Sequence, residues 1–365
     1  MTASTLTSDN GASSGTSGIK YNGGTDGTLQ IQTTTSGGTA TTAVTIDNSQ
    51  NTTLAGYLNA PNTFGFKNRI INGAMMISQR GTSFSTPAAG TYNLDRWFVG
   101  WGGASPASVA QVSGPTGFKN AVQITGGASN TLTQLIQRIE SLNCTDLSGQ
   151  TVTFQANIAT SSNQTVLWVL KYPAVQDNFA SVTTITSGTW STTSTATTFT
   201  ATVSGLPSGV LNGLQVEIYP NNAGAFTSGT ITITGVQLEK GSTATSFDYR
   251  SIGTELMLCQ RYYYKNTGGS GTVLMAGGYA YSSTNASQSL GNLPVTMRTS
   301  PTSTYSGISF QTVSGNWAIT SIAATQNTAT QASLSFAAST GSMSNGQFAQ
   351  VYSPSSGYID FSAEL

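Results

Sequence analysis

Residues 152–158 read VTFQANI, a stretch in which every second side chain is apolar. A period of two places alternate side chains on the same face of a β-strand, so this stretch predicts a strand with one buried face. Residues 166–170 read VLWVL and are apolar throughout, which is typical of a strand covered on both faces and makes Trp168 a core residue. These two stretches indicate an all-β fold.

The same alternation recurs in residues 199–203, 214–218 and 231–233, with Ser-Gly, Pro-Ser-Gly and Asn-Asn-Ala-Gly turn sequences between the strands. Gly235 then shifts the phase of the pattern, which predicts a β-bulge. Residues 132–139 fit a helix or an edge strand, and the surrounding strands favour the strand. We therefore predict a jelly-roll-like β-sandwich over residues 63–250.

A smaller β domain is predicted for residues 251–365. It begins with one short helix, because apolar side chains recur at helical spacing after Asp248 and Ser251, either of which can act as the N-cap. These side chains belong to Ile252, Leu256, Cys259, Tyr262 and Tyr263. Short strands follow and end with the alternating residues 358–361.

Residues 1–62 form a separate segment. Residues 2–27 consist almost entirely of Ser, Thr, Gly and Asn and have too little apolar surface to fold alone. Residues 43–46 then read as a strand that ends in a polar turn, and Leu54, Tyr57 and Leu58 form a further apolar patch. Winding of three chains would bury such short strands, so we expect this segment to be ordered by its partner chains in a homotrimer. An unstructured tail is the alternative.

The composition argues against several classes of function. Of the 365 residues, 13 are basic, 13 are acidic and none is histidine, whereas 107 are Ser or Thr. The zero net charge argues against nucleic-acid binding through phosphate contacts, and the missing histidine excludes a Ser-His triad and an HExxH zinc motif. No run is apolar enough for membrane insertion. We expect no cofactor and no bound metal.

Cys144 and Cys259 lack the CxxC spacing of zinc or redox sites, so we expect both to be free and structural, with a disulfide between them as the alternative. No apolar stretch typical of a signal peptide follows Met1, so we expect synthesis in a cytoplasm.

Three local signatures carry a resemblance to a known family. Residues 68–81 read NRIINGAMMISQRG with YNLDRW at 92–97, residues 236–247 read VQLEKGSTATSF with ELMLCQRYY at 255–263, and residues 293–301 read LPVTMRTSP with FSAEL at 361–365. In this order they resemble tail-fibre and related virion proteins of tailed bacteriophages. The resemblance implies a carbohydrate-binding-module-like jelly roll behind an N-terminal attachment segment. It also implies a homotrimer in a tail fibre or another external appendage of the virion.

Five residues within these signatures are interpreted as architecture. Asp95, Arg96 and Trp97 place two charges beside a core indole, where a fixed ion pair or capping of backbone groups is expected and a sugar platform is the alternative. Glu239 marks a strand end. Arg261, on the polar face of the helix, is expected to reach a carboxylate such as Glu239.

The hydroxyl-rich and nearly uncharged surface suits neutral glycans. The candidate ligand-binding residues are aromatic side chains, many of them beside turn residues: Trp101, Trp190 and Trp317 in loops, and Tyr279 and Tyr281 in the C-terminal domain. The loop tryptophans have an alternative role, as a plug over one end of the sandwich or as a contact between trimer subunits. The same alternative applies to the tyrosines.

We expect a structural phage fibre protein that attaches to other virion proteins through residues 1–62 and presents its β domains to a host-surface glycan. A head-decorating or collar fibre with a purely structural role is the alternative. A polysaccharide depolymerase is less favoured, because a glycosidase needs two carboxylates roughly 5–10 Å apart. The carboxylates of the β region, Asp95, Glu140, Asp146, Asp177 and Glu217, are isolated from one another in the sequence.

Overall fold

The structure, a computed structural model, describes residues 28–34, 40–49, 52–54, 66–268, 273–313, 315–324, 327–338, 343–353 and 356–365. The chain divides into two compact units, Met1–Pro61 and Asn62–Leu365. The described residues are mostly β, with one short α-helix before the C-terminal strands, so the predicted fold class is confirmed. The domain boundary at residue 250 stays a prediction, and most of the predicted attachment segment, with Tyr57 and Leu58, lies outside the described residues.

In the first unit, β1 (Leu29–Thr34), β2 (Ala40–Ile46) and β3 (Thr52–Leu54) form an antiparallel sheet in the order β1-β2-β3. The expected polar turn follows β2, where the amide of Ser49 donates a hydrogen bond to Asp47 Oδ1 at 2.9 Å. Ile31 is 51% exposed, so this sheet presents an apolar side chain to solvent.

The second unit begins with the strands of the sandwich. In chain order they are β4 (Ser83–Ser85), β5 (Phe98–Gly103), β6 (Ser108–Ser113), β7 (Asn120–Thr125), β8 (Asn130–Ile139), β9 (Val152–Thr160), β10 (Gln164–Val175), β11 (Asn178–Thr192), β12 (Thr197–Val203), β13 (Leu214–Tyr219) and β14 (Thr230–Lys240). Short 3-10 helices lie at Ser141–Asn143, Ser208–Asn212 and Pro220–Ala223. The strands form two sheets, in the orders β11-β10-β13-β8-β5 and β12-β9-β14-β7-β6-β4.

One apolar core joins the two sheets, because inward side chains alternate along their strands. Phe154, Ala156 and Ile158 of β9 are fully buried, as the alternation predicted, and Trp168 belongs to the same core. Residues 132–139 lie in β8, so the strand assignment is confirmed. The edge position was wrong, because β8 pairs with both β13 and β5.

The predicted bulge lies in β14. The pairing of β14 with β9 shifts register between Thr234 and Gln237, and Gly235 has a φ of +58°. A Cβ atom on Gly235 would lie 2.5 Å from Cζ of Phe118. Backbone conformation and packing therefore both favour glycine at this position.

The C-terminal part begins with the helix. Its elements are α1 (Ile252–Gln260), β15 (Tyr263–Thr267), β16 (Val273–Ala280), β17 (Asn285–Asn292), β18 (Thr302–Ser306), β19 (Ser309–Thr312), β20 (Gly315–Ala324), β21 (Gln331–Ala338), β22 (Phe348–Ser353) and β23 (Tyr358–Ser362). Ser251 is the N-cap of α1, since its hydroxyl accepts a hydrogen bond from the amide of Thr254. Among the described residues, no helix is long and apolar enough to cross a membrane.

Two β assemblies follow the helix. β15, β23 and β18 form a small sheet in that order, and β16-β17-β21-β20-β19-β22 close into a barrel with its own core. Cys259 and Tyr262 pack against Ile71 and Ile77 of the segment that precedes the sandwich. Both cysteines are free and buried.

Candidate functional site

A groove opens at one side of the sandwich, between the edge strands β11 and β12 of the two sheets. Its volume is about 700 Å³, and β10 and β11 line one side while β12 and the loop after it line the other. The lining residues are Trp168, Tyr172, Thr183, Thr184, Ile185, Thr186, Ser187, Thr202, Val203, Ser204, Gly205 and Pro207.

Aromatic rings form the floor of the groove. Trp168 and Tyr172 come from β10, and both rings pack closely against glycine backbone. A Cβ atom on Gly188, which pairs with Trp168 across the sheet, would lie 2.7 Å from the indole, and one on Gly209 would lie 2.2 Å from the ring of Tyr172. Trp168 is buried and Tyr172 half-buried, so Tyr172 presents more of its ring to the groove.

Hydroxyl side chains form the walls. Thr183, Thr186 and Ser187 belong to β11, and Thr202 and Ser204 lie on β12 and just after it. Each hydroxyl can donate one hydrogen bond and accept two. None of the described residues that line the groove is charged. The groove therefore suits an uncharged ligand rich in hydroxyl groups, because such a ligand exchanges hydrogen bonds without desolvating an ion.

The three candidate tryptophans lie in strands, so their predicted loop positions were wrong. Trp101 is in β5 and donates its indole N–H to the carbonyl of Pro87 at 3.0 Å. Trp190 is in β11, buried and stacked on Phe154 at 5.5 Å between ring centroids, and Trp317 in β20 packs on the barrel core. Glycines near Trp101 and Trp317 and the Ser and Thr around Trp190 suggested loops. Threonine, however, is β-branched and fits an extended strand.

The two candidate tyrosines are exposed on the barrel. Tyr279 is 63% and Tyr281 52% exposed, and the hydroxyl of Tyr281 hydrogen-bonds with Ser335 Oγ at 2.7 Å. Neither lines the groove, and nor do the candidate tryptophans. Sequence reasoning missed Tyr172 and the facing threonines. The available signal was the threonine-rich stretch of residues 181–189, separated by ten residues from the apolar run 166–170.

Arg96 and Glu364 form a buried ion pair between the sandwich and the C-terminal part. Arg80 Nη2 also contacts Glu364, at 3.1 Å, and the guanidinium of Arg96 lies 3.6 Å from the ring centroid of Tyr262. Burial lowers the pKa of Arg96, but Glu364 and the weaker effects of Tyr262, Tyr92 and Cys259 together outweigh burial and raise that pKa above its ordinary value.

Asp95 and Trp97, the sequence neighbours of Arg96, form hydrogen bonds with backbone groups. Asp95 accepts a hydrogen bond from the amide of Gln79 at 2.6 Å, and the indole of Trp97 donates to the carbonyl of Asn72 at 3.0 Å. Burial raises the pKa of Asp95, against the lowering effect of Arg80. This cluster fixes the start of β5 against the segment before it.

Arg261 contacts Glu140 and not Glu239, so the expected pairing was wrong. Its Nε and Nη2 donate to the two oxygens of Glu140 at 3.0 and 2.7 Å, and the hydroxyl of Tyr262 donates at 2.8 Å. Burial raises the pKa of Glu140, but these hydrogen bonds and the charges of Arg261 and Arg298 together outweigh burial and hold that pKa below its ordinary value. Glu239 instead accepts from the amide and hydroxyl of Thr245 at 2.9 and 2.8 Å, because the turn after β14 folds back over it.

The other candidate carboxylates also have polar partners. Glu217 pairs with Lys171 at 2.9 Å, Asp146 pairs with Arg69 at 2.8 Å, and Asp177 accepts hydrogen bonds from a serine at 2.7 and 2.9 Å. In the part of the chain that the structure describes, no three potential metal ligands come together.

No family model matches the sequence, and no curated protein matches it. Among solved structures, the chain is similar to a family 4 carbohydrate-binding module, with a TM-score of 0.32 and 18% identity over 47% of this chain and 98% of the module. It is also similar to a family 61 module in complex with β-1,4-galactotriose, with a TM-score of 0.30 and 10% identity over 48% of this chain and 99% of that one. The enzymatically active domain of tailspike protein 4 from bacteriophage CBA120 matches with a TM-score of 0.34 and 13% identity over 48% of this chain and 22% of the tailspike chain. Likenesses at these TM-scores carry no argument about function.

Proposed function

We propose that this chain is a structural phage fibre protein that binds a neutral host-surface glycan without cleaving it. The groove beside Tyr172 carries the proposal, because it combines an aromatic floor, hydroxyl walls and an uncharged lining. The C–H faces of a sugar pack on aromatic rings while its hydroxyls exchange hydrogen bonds with Ser and Thr. The resemblance of residues 68–365 to tail-fibre proteins supports the setting in a phage.

Binding without cleavage is supported by the state of the carboxylates. A glycosidase needs a carboxylic acid and a carboxylate on either side of the scissile bond. Here Glu140 and Glu217 are each bound to a cation, and no carboxylate lines the groove among the described residues. New reducing ends released from a bound glycan would overturn this part of the proposal.

The binding experiment compares the groove with the barrel. We would titrate the full chain with neutral tetrasaccharides of glucose, galactose and xylose in a calorimeter, with the host polysaccharide as a further probe. Tyr172→Ala should weaken binding about tenfold or more, since the ring supplies the main packing surface. Tyr281→Ala is the matched control and should leave binding unchanged. Loss of binding in Tyr281→Ala alone would move the site to the barrel, and no binding by any probe would overturn the glycan proposal.

In the virion, we propose that residues 1–62 attach the chain to other virion proteins and that three chains assemble. The hydroxyl-rich composition and the exposed Ile31 of the first unit support assembly with partners. Sedimentation equilibrium should give three times the chain mass of 37.6 kDa. Antibody labelling of intact particles then distinguishes a tail fibre from a head-decorating or collar fibre by where the label appears.

A further inference from the structure

A second concave surface lies between the sandwich and the small sheet β15-β23-β18. This cleft has a volume of about 450 Å³. Its aromatic lining comes from Phe84, Tyr92, Tyr263 and Tyr358, and its charged lining from Arg80, Lys265 and Asp360. Thr91, Thr304 and Ser362 add hydroxyl groups. Unlike the groove, the cleft therefore combines aromatic rings with ions.

Lys265 is the cation that faces this space without a carboxylate partner. Its Nζ lies 4.2 Å from the ring centroid of Tyr358, and no carboxylate of the described residues lies within ion-pair distance. The nearby carboxylate of Asp360 accepts hydrogen bonds from the hydroxyls of Tyr263 at 2.9 Å and Thr304 at 2.6 Å. Lys265 is half-buried, so a ligand can reach its ammonium group while water screens it less than on an open surface.

Arg80 adds positive charge to the wall of the cleft. Its guanidinium lies 3.5 Å from the ring centroid of Tyr263, and it shares the carboxylate of Glu364 with Arg96. One carboxylate thus faces two guanidinium groups. In addition, Nη1 of Arg80 is buried without a hydrogen-bond partner among the described residues. The charged side chains that line the cleft, Arg80, Lys265 and Asp360, sum to a charge of +1 beside its aromatic rings.

We propose that this cleft binds an acidic saccharide, a sugar ring that carries a carboxylate. The carboxylate contacts the ammonium group of Lys265, and the positive charge of Arg80 strengthens its attraction. The ring of the sugar packs against the exposed aromatic carbon of the cleft, and Thr91 and Ser362 offer hydroxyl partners. The inference goes beyond the proposed function, because the cleft and the groove are separate sites for ligands of different charge.

The test uses tetragalacturonate as the acidic probe and galactotetraose as its neutral counterpart, with the full chain in a calorimeter. We expect the wild type to bind tetragalacturonate, with an affinity that falls between 50 mM and 500 mM salt as about one to two charges are screened. Lys265→Gln should weaken this binding about tenfold, and Lys265→Arg should restore most of it. Lys119→Gln is the matched control, since it removes the same charge from an exposed lysine outside the cleft.

Several results of this calorimetric test would overturn the proposal. Unchanged tetragalacturonate affinity in Lys265→Gln overturns the proposal, and so does a wild type that binds no acidic probe. Loss of tetragalacturonate binding in Tyr172→Ala but not in Lys265→Gln would place the acidic sugar in the groove and also overturn it. A phosphate-substituted galactose that binds more tightly than the uronate would overturn the carboxylate assignment. Neutral binding through Tyr172 is measured separately, so failure of either proposal leaves the other intact.

Discussion

Arg96, Glu364 and Glu140 are among the few charged residues of this chain, and all three are side chains of the interior. An unpaired charge in such a position costs several kcal/mol. Each is therefore held by an opposite charge, and these pairs lie between the sandwich and the C-terminal part. Charged residues are only 7% of the chain, and these ion pairs join the sandwich to the C-terminal part of the second unit.

Removal of Glu364 tests the buried pair. Glu364→Ala leaves Arg96 buried without its carboxylate, so we expect the free energy of unfolding to fall by about 3–5 kcal/mol. Asp146→Ala is the matched control, because the pair with Arg69 is exposed and contributes less than about 1 kcal/mol. Urea unfolding measures both changes. Equal, small losses would contradict a stabilising role for the buried pair.

Glu140 makes stability depend on pH. Its pKa is lowered in the folded state, so its stabilising effect is fully present above the unfolded pKa of about 4.3 and is lost as the pH falls through the folded pKa. We expect Glu140→Gln to be about 2 kcal/mol less stable than the wild type at pH 7. That difference should shrink as the pH drops below about 4.3. Thermal unfolding at stepped pH measures it, and a difference that stays constant down to pH 3 would contradict the assignment.

The partners of these residues show what local sequence cannot encode. The signature around Arg96 predicted a bound charge, but Glu364 is 268 positions away and no periodicity links the two. For Arg261 the sequence suggested Glu239, whereas the fold brings Glu140 to it. The chemistry of these side chains predicted that each has an oppositely charged partner, but the tertiary fold determines which residue that partner is.

At the scale of elements, β14 and the segment before the sandwich are held together by hydrogen bonds and close packing. Asn68 Oδ1 accepts from the amide of Leu238 at 3.1 Å, and Asn68 Nδ2 donates to the carbonyl of Val236 at 3.1 Å. A Cβ atom on Gly73 would lie 2.1 Å from the same carbonyl oxygen. Two signatures that are far apart in the sequence therefore describe one contact, between residues 68–73 and the bulged part of β14.

Substitution of the bulge glycine tests this element. Gly235→Ala combines a φ of +58° with a Cβ atom 2.5 Å from Phe118, and we expect it to cost about 1–3 kcal/mol. Gly253→Ala in α1 is the matched control, since its Cβ meets nothing within 4 Å. The control should be neutral or stabilise the protein by up to about 1 kcal/mol. If both variants unfold at the denaturant concentration of the wild type, the bulge geometry is wrong.

For the whole molecule, alternation and turn residues were enough to predict a β-sandwich followed by a helix and further strands, because both signals are local. They did not predict the barrel, whose closure pairs Gly277 with Gln350 across most of the C-terminal part. These local signals also did not predict the groove, because the groove depends on how far apart the edge strands β11 and β12 lie. Both features depend on long-range strand pairing, which local patterns in a single sequence do not predict.

The two cysteines report whether the parts of the second unit unfold together. Burial raises the pKa of Cys144, in the sandwich core, to about 12, and also raises the pKa of Cys259, on α1. We expect neither thiol to react with a thiol reagent in the native protein, because the reactive thiolate is absent and access is closed. With Cys144→Ser and Cys259→Ser as single-thiol proteins, both sites should become reactive at the same urea concentration. Two separate transitions would contradict the coupling by the buried ion pairs.

The position of Glu364 also has a consequence for biosynthesis. A ribosome completes the sandwich at β14, but the counter-charge of Arg96 emerges only 268 residues after it. Until then the nascent sandwich must shield a guanidinium without its carboxylate, so we expect it to stay incompletely closed during translation. Emergence of residues 358–364 lets β23 dock and supplies the missing charge. A chain truncated before Glu364 lacks this last step, so we expect it to be cleaved by proteases faster than the full chain.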